Sequence, residues 1–222
     1  MANKLELMWY GKEQEISVEP RLLIERPELS NFDAAPDTEN MLIHGDNLLA
    51  LKALEHKYAG QVKCIYIDPP YNTGSAFEQY DDNLEHSEWL SLIRPRLEIL
   101  WNLLSESGSI WISIDDDEQA YMKVLCDEVF GRKNFINYVI WEKKYSPQND
   151  AKWFSDNHDH ILCYAKDKSI WHPNLLPRTD EMNARYKNMD NDPRGLWKPD
   201  NLLRKDEQKT GLYAIVTPSG RV

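Results

Sequence analysis

The spacing of apolar and polar positions divides the first two thirds of the chain into short strands and longer helices. Val62 to Ile67 is mostly apolar and β-branched, the composition of a buried strand. It stops at Asp68, because Pro69 and Pro70 cannot donate to a sheet ladder. Tyr71 follows, then the loop formers Asn72, Thr73 and Gly74. Upstream, Met41 to His44 is a short apolar run read as a strand, ending at Gly45-Asp46-Asn47. Leu48, Leu51, Leu54 and Tyr58 then recur at near-helical spacing, with Asp46 or Asn47 as the natural N-cap. A polar stretch from Asn72 to about His86 reads as a long loop, and its functional reading is a lid.

Ser87 begins a helix whose apolar face is Trp89, Ile93, Leu97, Leu100, Trp101 and Leu104. Pro95 interrupts it and predicts a kink. That stripe is read as core packing, with no part in ligand binding. Gly108-Ser109 lead into a second buried strand, Ile110 to Ile114. Asp115, Asp116 and Asp117 follow it. Capping of the next helix outweighs a metal site for them, since acidic side chains favour a helix N-terminus. Tyr121, Val124, Leu125 and Val129 are that helix's buried face, and Gly131 ends it. Phe135 to Trp141 and Ile161 to Ala165 read as further strands. Between them, His158 and His160 flank Asp159, with no third metal ligand at a suitable spacing. The organisation expected from this pattern is an arm over 1–40, a region of strands and helices over 41–166, and an irregular region over 167–222.

Composition changes this picture little. Hydrophobic residues make up 41% of the 222, enough for a core. No run is as long as a membrane span, and no signal peptide opens the chain, so a cytoplasmic protein without membrane contact is expected. Cys64, Cys126 and Cys163 form no C-x-x-C pair and read as buried, reduced thiols. The net charge of −11 is unevenly divided along the chain. Residues 1–130 carry 10 basic against 25 acidic side chains, net −15, and residues 131–222 carry 16 against 12, net +4. An acidic catalytic half joined to a more basic recognition half fits this asymmetry, and ordinary solvated surface explains it about as well.

The chemistry concentrates in Asp68-Pro69-Pro70-Tyr71. Asp68 is an acceptor when ionised, the Pro69 carbonyl is a second acceptor in a fixed direction, and Tyr71 offers a flat face. Two acceptors beside a stacking ring suit a planar group bearing an NH2, such as adenine. Hydrogen bonds from both amine protons would leave the nitrogen lone pair free to attack an electrophile. A base in a duplex reaches such a pocket only when flipped out of the stack.

The chain resembles β-class adenine-N6 DNA methyltransferases, and more closely the modification subunit of type III restriction–modification systems. The matching stretches are MLIHGDNLLALKAL (41–54), IYIDPPYNTGSAF (65–77), GSIWISIDDDEQAY (108–121), DEVFGRKNF (127–135), HDHILCYAK (158–166) and DNDPRGLW (190–197). The resemblance implies a Rossmann-like α/β methyltransferase sheet, incomplete, followed by the start of an irregular target-recognition region. It implies S-adenosyl-L-methionine as cofactor, with Gly45, Asp46, Asn47 and Asp68 at the cofactor. It implies Asp68, Pro69, Pro70 and Tyr71 as catalytic residues on a flipped adenine. Related cytosine-N4 enzymes carry Ser at the Asp68 position, and enzymes modifying glutamine carry Asn. Double-stranded DNA is the expected partner, with Asn72, Phe77, Lys143, Lys144, Arg194 and Lys198 as candidate contacts. A restriction subunit is a further expected partner.

One part of the family pattern is missing. The nine glycines include no cluster that would accept a nucleotide cofactor. The chain therefore reads as the amino-terminal half of an enzyme, a fragment completed by a carboxyl-terminal half or a second copy. The alternative reading is a non-catalytic DNA-binding or assembly module that needs a second polypeptide. Methylation of RNA or protein is a third, weaker reading.

Overall fold

A computed structural model describes residues 6–14, 18–19, 21–31, 37–73, 85–146, 152–200 and 216–220. It forms two compact units, Met1–His172 and Pro173–Val222.

The first unit is a mixed four-stranded sheet with helices. Its elements are α1 (Asn47–Tyr58), β1 (Val62–Ile67), α2 (His86–Leu103), β2 (Leu104–Ile114), α3 (Gln119–Cys126), β3 (Phe135–Glu142) and β4 (His158–Ala165). The strand order is β1-β2-β4-β3. β1 and β2 are parallel, while β4 runs antiparallel to both β2 and β3. Parallel neighbours need a crossover, and α2 supplies it.

The core lies on one face of this sheet. Ile110, Ile112 and Ile114 of β2 and Leu162 and Tyr164 of β4 are fully buried there, packed with Trp89, Leu90 and Leu97 of α2 and Met122 and Leu125 of α3. The alternate residues point to the other face, as the period of two requires. α2 runs through Pro95. Leu104, expected at the end of its stripe, is instead the first residue of β2. β2 is longer than Ile110 to Ile114 because it begins with a bulged turn against β1. The pairing steps from Val62↔Leu104 to Cys64↔Ser109. Gly108 sits in that step, where a Cβ would lie 2.8 Å from the Val62 carbonyl oxygen and 3.0 Å from that of Ser105. Only glycine fits so close a backbone approach.

Three expectations are corrected here. Met41 to His44 is not a strand, and Leu42 is fully exposed. β1 is an edge strand rather than a buried one, with Ile65 as its buried residue and Cys64 and Tyr66 exposed. An apolar run shows that a segment prefers extended backbone, not that both its faces are covered. The three aspartates do not cap α3. Its N-cap is Glu118, and Asp115 Oδ1 instead accepts from the Asp117 amide at 3.1 Å in the preceding turn. All three cysteines are free, Cys126 and Cys163 being buried, and burial pushes the Cys163 thiol up to about 12.

Residues before 41 contribute packing. The Trp9 indole donates to Ser91 Oγ at 2.8 Å. The Lys12 ammonium is buried against Glu128 at 2.8 Å and Glu6 at 3.0 Å. These pairs, with Lys12 also donating to the Leu7 carbonyl, satisfy a charge that would otherwise be costly to bury. α3 runs into a π turn over Asp127–Gly131, and Gly131 at φ 85° turns the chain toward β3.

The second unit has little regular structure among its described residues. α4 (Asp180–Ala184) is capped by Thr179, and Lys187 pairs with Trp197 in an isolated antiparallel bridge. Asn191 takes a left-handed backbone at the tip of the segment between them. No helix among the described residues is long and apolar enough to cross a membrane.

Candidate functional site

Asp68 to Tyr71 leave β1 at its carboxyl end, beside the carboxyl end of β2. Ligands collect at this end of open α/β sheets. Asp68 and Tyr71 line a recess of about 290 Å³ together with Tyr66, Ser113, Trp141, Asp159 and Ile161. The sheet register assembles it. Ser113 of β2 pairs with Ile161 of β4, and Trp141 of β3 pairs with Asp159. The Tyr66 hydroxyl shares a short hydrogen bond with Ser113 Oγ.

Within the recess Tyr71 has its hydroxyl close to Asp68. Burial, then a hydrogen bond to the Asp68 carboxylate, hold its phenol well above the ordinary tyrosine value. The Tyr71 hydroxyl thus keeps its proton beside the Asp68 carboxylate. The Pro70 carbonyl is held from behind, since the Trp89 indole Nε1 donates to it at 2.8 Å. Trp89 is fully buried. It belongs to the α2 stripe read as packing alone, in which the indole N–H groups of Trp89 and Trp101 were the polar signals.

Asn72 lies just past the recess at φ 61°, and its Nδ2 donates to Glu118 Oε1 at 2.8 Å. Asp46 caps α1, accepting from the Leu48 and Leu49 amides at 2.9 and 3.1 Å through Oδ1. Its Oδ2 lies 3.8 Å from Arg96, whose Nε donates to Asn47 Oδ1 at 2.7 Å. Gly45 has positive φ, and nothing lies within 4 Å of the position a Cβ would take. Gly45, Asp46 and Asn47 are not among the residues lining the recess.

The candidate DNA contacts are scattered. Lys143 is ion-paired with Asp156 and Asp159, each at 2.9 Å, so its charge is already matched. Lys144 is exposed. Arg194 and Lys198 are exposed in the second unit, and Arg194 is paired with Asp192. Phe77 and most of the expected lid fall in 74–84, outside the described residues.

Tertiary contact also corrects the histidine reading. Asp116, His158 and His160 place one ligand atom each within 4.8 Å of one another, so a third candidate donor does exist. His160 Nε2 lies 2.7 Å from Asp116 Oδ1, and this hydrogen bond accounts for the pair.

Asp115, at the end of β2, is pushed up to about 6, chiefly by burial, with Asp117 and Asp159 adding to the shift and the Asp117 amide and Lys143 opposing it. The folded chain thus binds this proton more tightly than the unfolded chain, whose carboxyl titrates near 3.8. The contribution to stability is present at low pH and is lost as pH rises through about 6. Asp115→Asn should raise the melting temperature at about pH 8 and change it little at about pH 4, as read by thermal denaturation across that range.

Comparison with known proteins shows the family. A family model described as DNA methylase matches residues 62–219. The StyLTI Mod subunit of Salmonella typhimurium, a type III restriction–modification enzyme, is 33% identical over 96% of this chain and 37% of its own length. The type II methyltransferase M.KpnI of Klebsiella pneumoniae is 33% identical over 63% of this chain and 35% of its own. A Thermus thermophilus protein described as a DNA modification methylase aligns over 64% of this chain and 58% of its own, at 19% identity and a TM-score of 0.41, too loose a likeness to add to the family match. The chain spans only 24% to 37% of the length of the type III Mod subunits it matches. With a mixed four-stranded sheet among its described residues, the chain belongs to the DNA methylase family, as an N6/N4 DNA methyltransferase domain related to type III modification subunits.

Proposed function

We propose that this chain serves adenine-N6 methylation of DNA as part of a type III modification subunit. The observation that carries the reading is the meeting of Asp68 and Tyr71 in one recess with Trp141. Asp68 and the Pro69 carbonyl accept the two amine protons of a flipped adenine, and Tyr71 and Trp141 offer ring faces to the base. Holding both protons directs the nitrogen lone pair outward. As the amine nitrogen forms its new bond to carbon it becomes positive, and the Asp68 carboxylate stabilises that charge and stands ready to take the released proton.

S-adenosyl-L-methionine is the proposed cofactor, and when bound it supplies an electrophilic methyl group. The donor set near α1 fits it. Asp46 spends Oδ1 on capping and keeps Oδ2 for a hydroxyl or amine donor, while Gly45 leaves open space beside it. Lys144, Arg194 and Lys198 are the proposed phosphate or base contacts, and Asn72 and Phe77 are further proposed DNA contacts. The proposed layout keeps an arm over 1–40, a catalytic region over 41–166 and recognition sequence over 167–222. A restriction subunit, and a further polypeptide or second copy completing the sheet, are the proposed protein partners, in the cytoplasm.

The cytosine amine would meet the same two acceptors, so product identity is the decisive test. The folded chain is incubated with S-adenosylmethionine and unmethylated DNA, and the digested nucleosides are separated by mass spectrometry. N6-methyladenine is expected. N4-methylcytosine would overturn the adenine assignment, and neither product from a chain that binds the cofactor would overturn transfer by this polypeptide.

A further inference from the structure

The methyl-transfer reading leaves the buried acid Glu118 unused. Glu118 is 5% exposed at the N-terminus of α3. Its Oε1 accepts from Asn72 Nδ2 at 2.8 Å and faces His86 Nδ1 at 2.9 Å. A carboxylate only accepts, so His86 carries its proton on Nδ1. Oε2 is out of solvent and has no hydrogen-bond partner among the described residues. Neither Lys nor Arg pairs with Glu118 among those residues. A buried carboxylate so placed is costly, and the two side-chain hydrogen bonds are what it gains in return.

Those bonds join three places distant in sequence. Asn72 follows Tyr71 directly and holds a left-handed backbone, φ 61°, that turns the chain out of the recess. His86 is the first residue of α2. Its ring meets Tyr121 of α3 edge-on at 4.2 Å and stacks at 6.4 Å on Trp89. Trp89 in turn donates to the Pro70 carbonyl. The turn carrying Asp68 and Tyr71 is thus braced at Pro70 by Trp89 and at Asn72 by Glu118, and His86 links the two braces.

We propose that Glu118 is a positioning residue for the Asp68–Tyr71 turn, acting through Asn72 and His86. This rests on the methylation reading for its purpose, but not for its geometry. Without the Glu118 bond, Asn72 relaxes from its left-handed conformation, and the Tyr71 ring leaves its place beside Asp68. Misplacement on the ångström scale costs an enzyme about 100-fold in rate.

The test places 3-fluorotyrosine at position 71 of the 222-residue chain and records its fluorine resonance, with circular dichroism to confirm folding. In Glu118→Ala the resonance should move toward the value of free 3-fluorotyrosine. In Glu118→Gln, whose amide oxygen still accepts from Asn72 and His86, it should return. Asn72→Ala should reproduce the alanine effect with Glu118 intact, and covers the case in which Glu118→Ala does not fold. An unmoved resonance in either folded variant overturns the proposal. Where methyl transfer is measurable, kcat should fall about 100-fold in Glu118→Ala with cofactor affinity unchanged. Absence of transfer in the parent chain with the fluorine shifts as expected would overturn transfer by this polypeptide and leave the brace standing.

Discussion

Replacing Asp68 by alanine is expected to lower methyl transfer to DNA by about 100-fold to 1,000-fold. Loss of one preorganised electrostatic partner of a developing charge costs this much in other enzymes. Asp68 is the recess's acceptor at the end of β1, and it is already engaged by the Tyr71 hydroxyl. Alanine there removes the acceptor for the amine proton and releases Tyr71 together. The measurement is incorporation of tritium from labelled cofactor into DNA, beside a calorimetric titration of the cofactor. Transfer within about threefold of the parent would remove Asp68 from the catalytic assignment.

The largest effect on stability is expected at Trp89. Its side chain is fully buried, and Trp89→Ala should cost about 3–5 kcal/mol through lost burial and the cavity left behind. That is a large share of the stability of a domain this size. Trp89→Phe separates packing from hydrogen bonding. Phenylalanine keeps most of the apolar contact but leaves the Pro70 carbonyl without its indole donor. An unmade buried hydrogen bond costs about 1–3 kcal/mol, and the melting temperature should fall by roughly 2–4 °C for each kcal/mol. Urea and thermal denaturation read both variants. A Trp89→Phe chain as stable as the parent would mean that the Pro70 carbonyl finds another partner.

The elements were legible because each carries its own signal. The helix over α1 follows from leucine spacing and the Asp46 cap, and that cap is present. The end of β1 at Asp68 follows from two prolines that lack an N–H. Both hairpin strands, β3 and β4, stand where β-branched and aromatic runs placed them, although β4 begins three residues earlier, at His158. The readings that failed concern surroundings rather than backbone. Met41 to His44 is apolar enough for a strand, but no strand pairs with it among the described residues. Cys64 sits in an apolar run and is exposed because β1 is the sheet's edge.

The sequence by itself determined the order of strands and helices, the Asp-Pro-Pro-Tyr turn at a strand end, and the family. These are encoded locally, by periodicity of two or 3.6 and by residues that cannot continue a helix or a ladder. Only the tertiary structure decided which side chains meet. Tyr66 touches Ser113 across 47 residues, Asn72 reaches Glu118 across 46, and His160 reaches Asp116 across 44. Such meetings depend on the order β1-β2-β4-β3 and on its register. A shift of one residue in that register would turn Ser113, Asp159 and Ile161 to the opposite face and dismantle the recess, while leaving every local pattern in the chain intact.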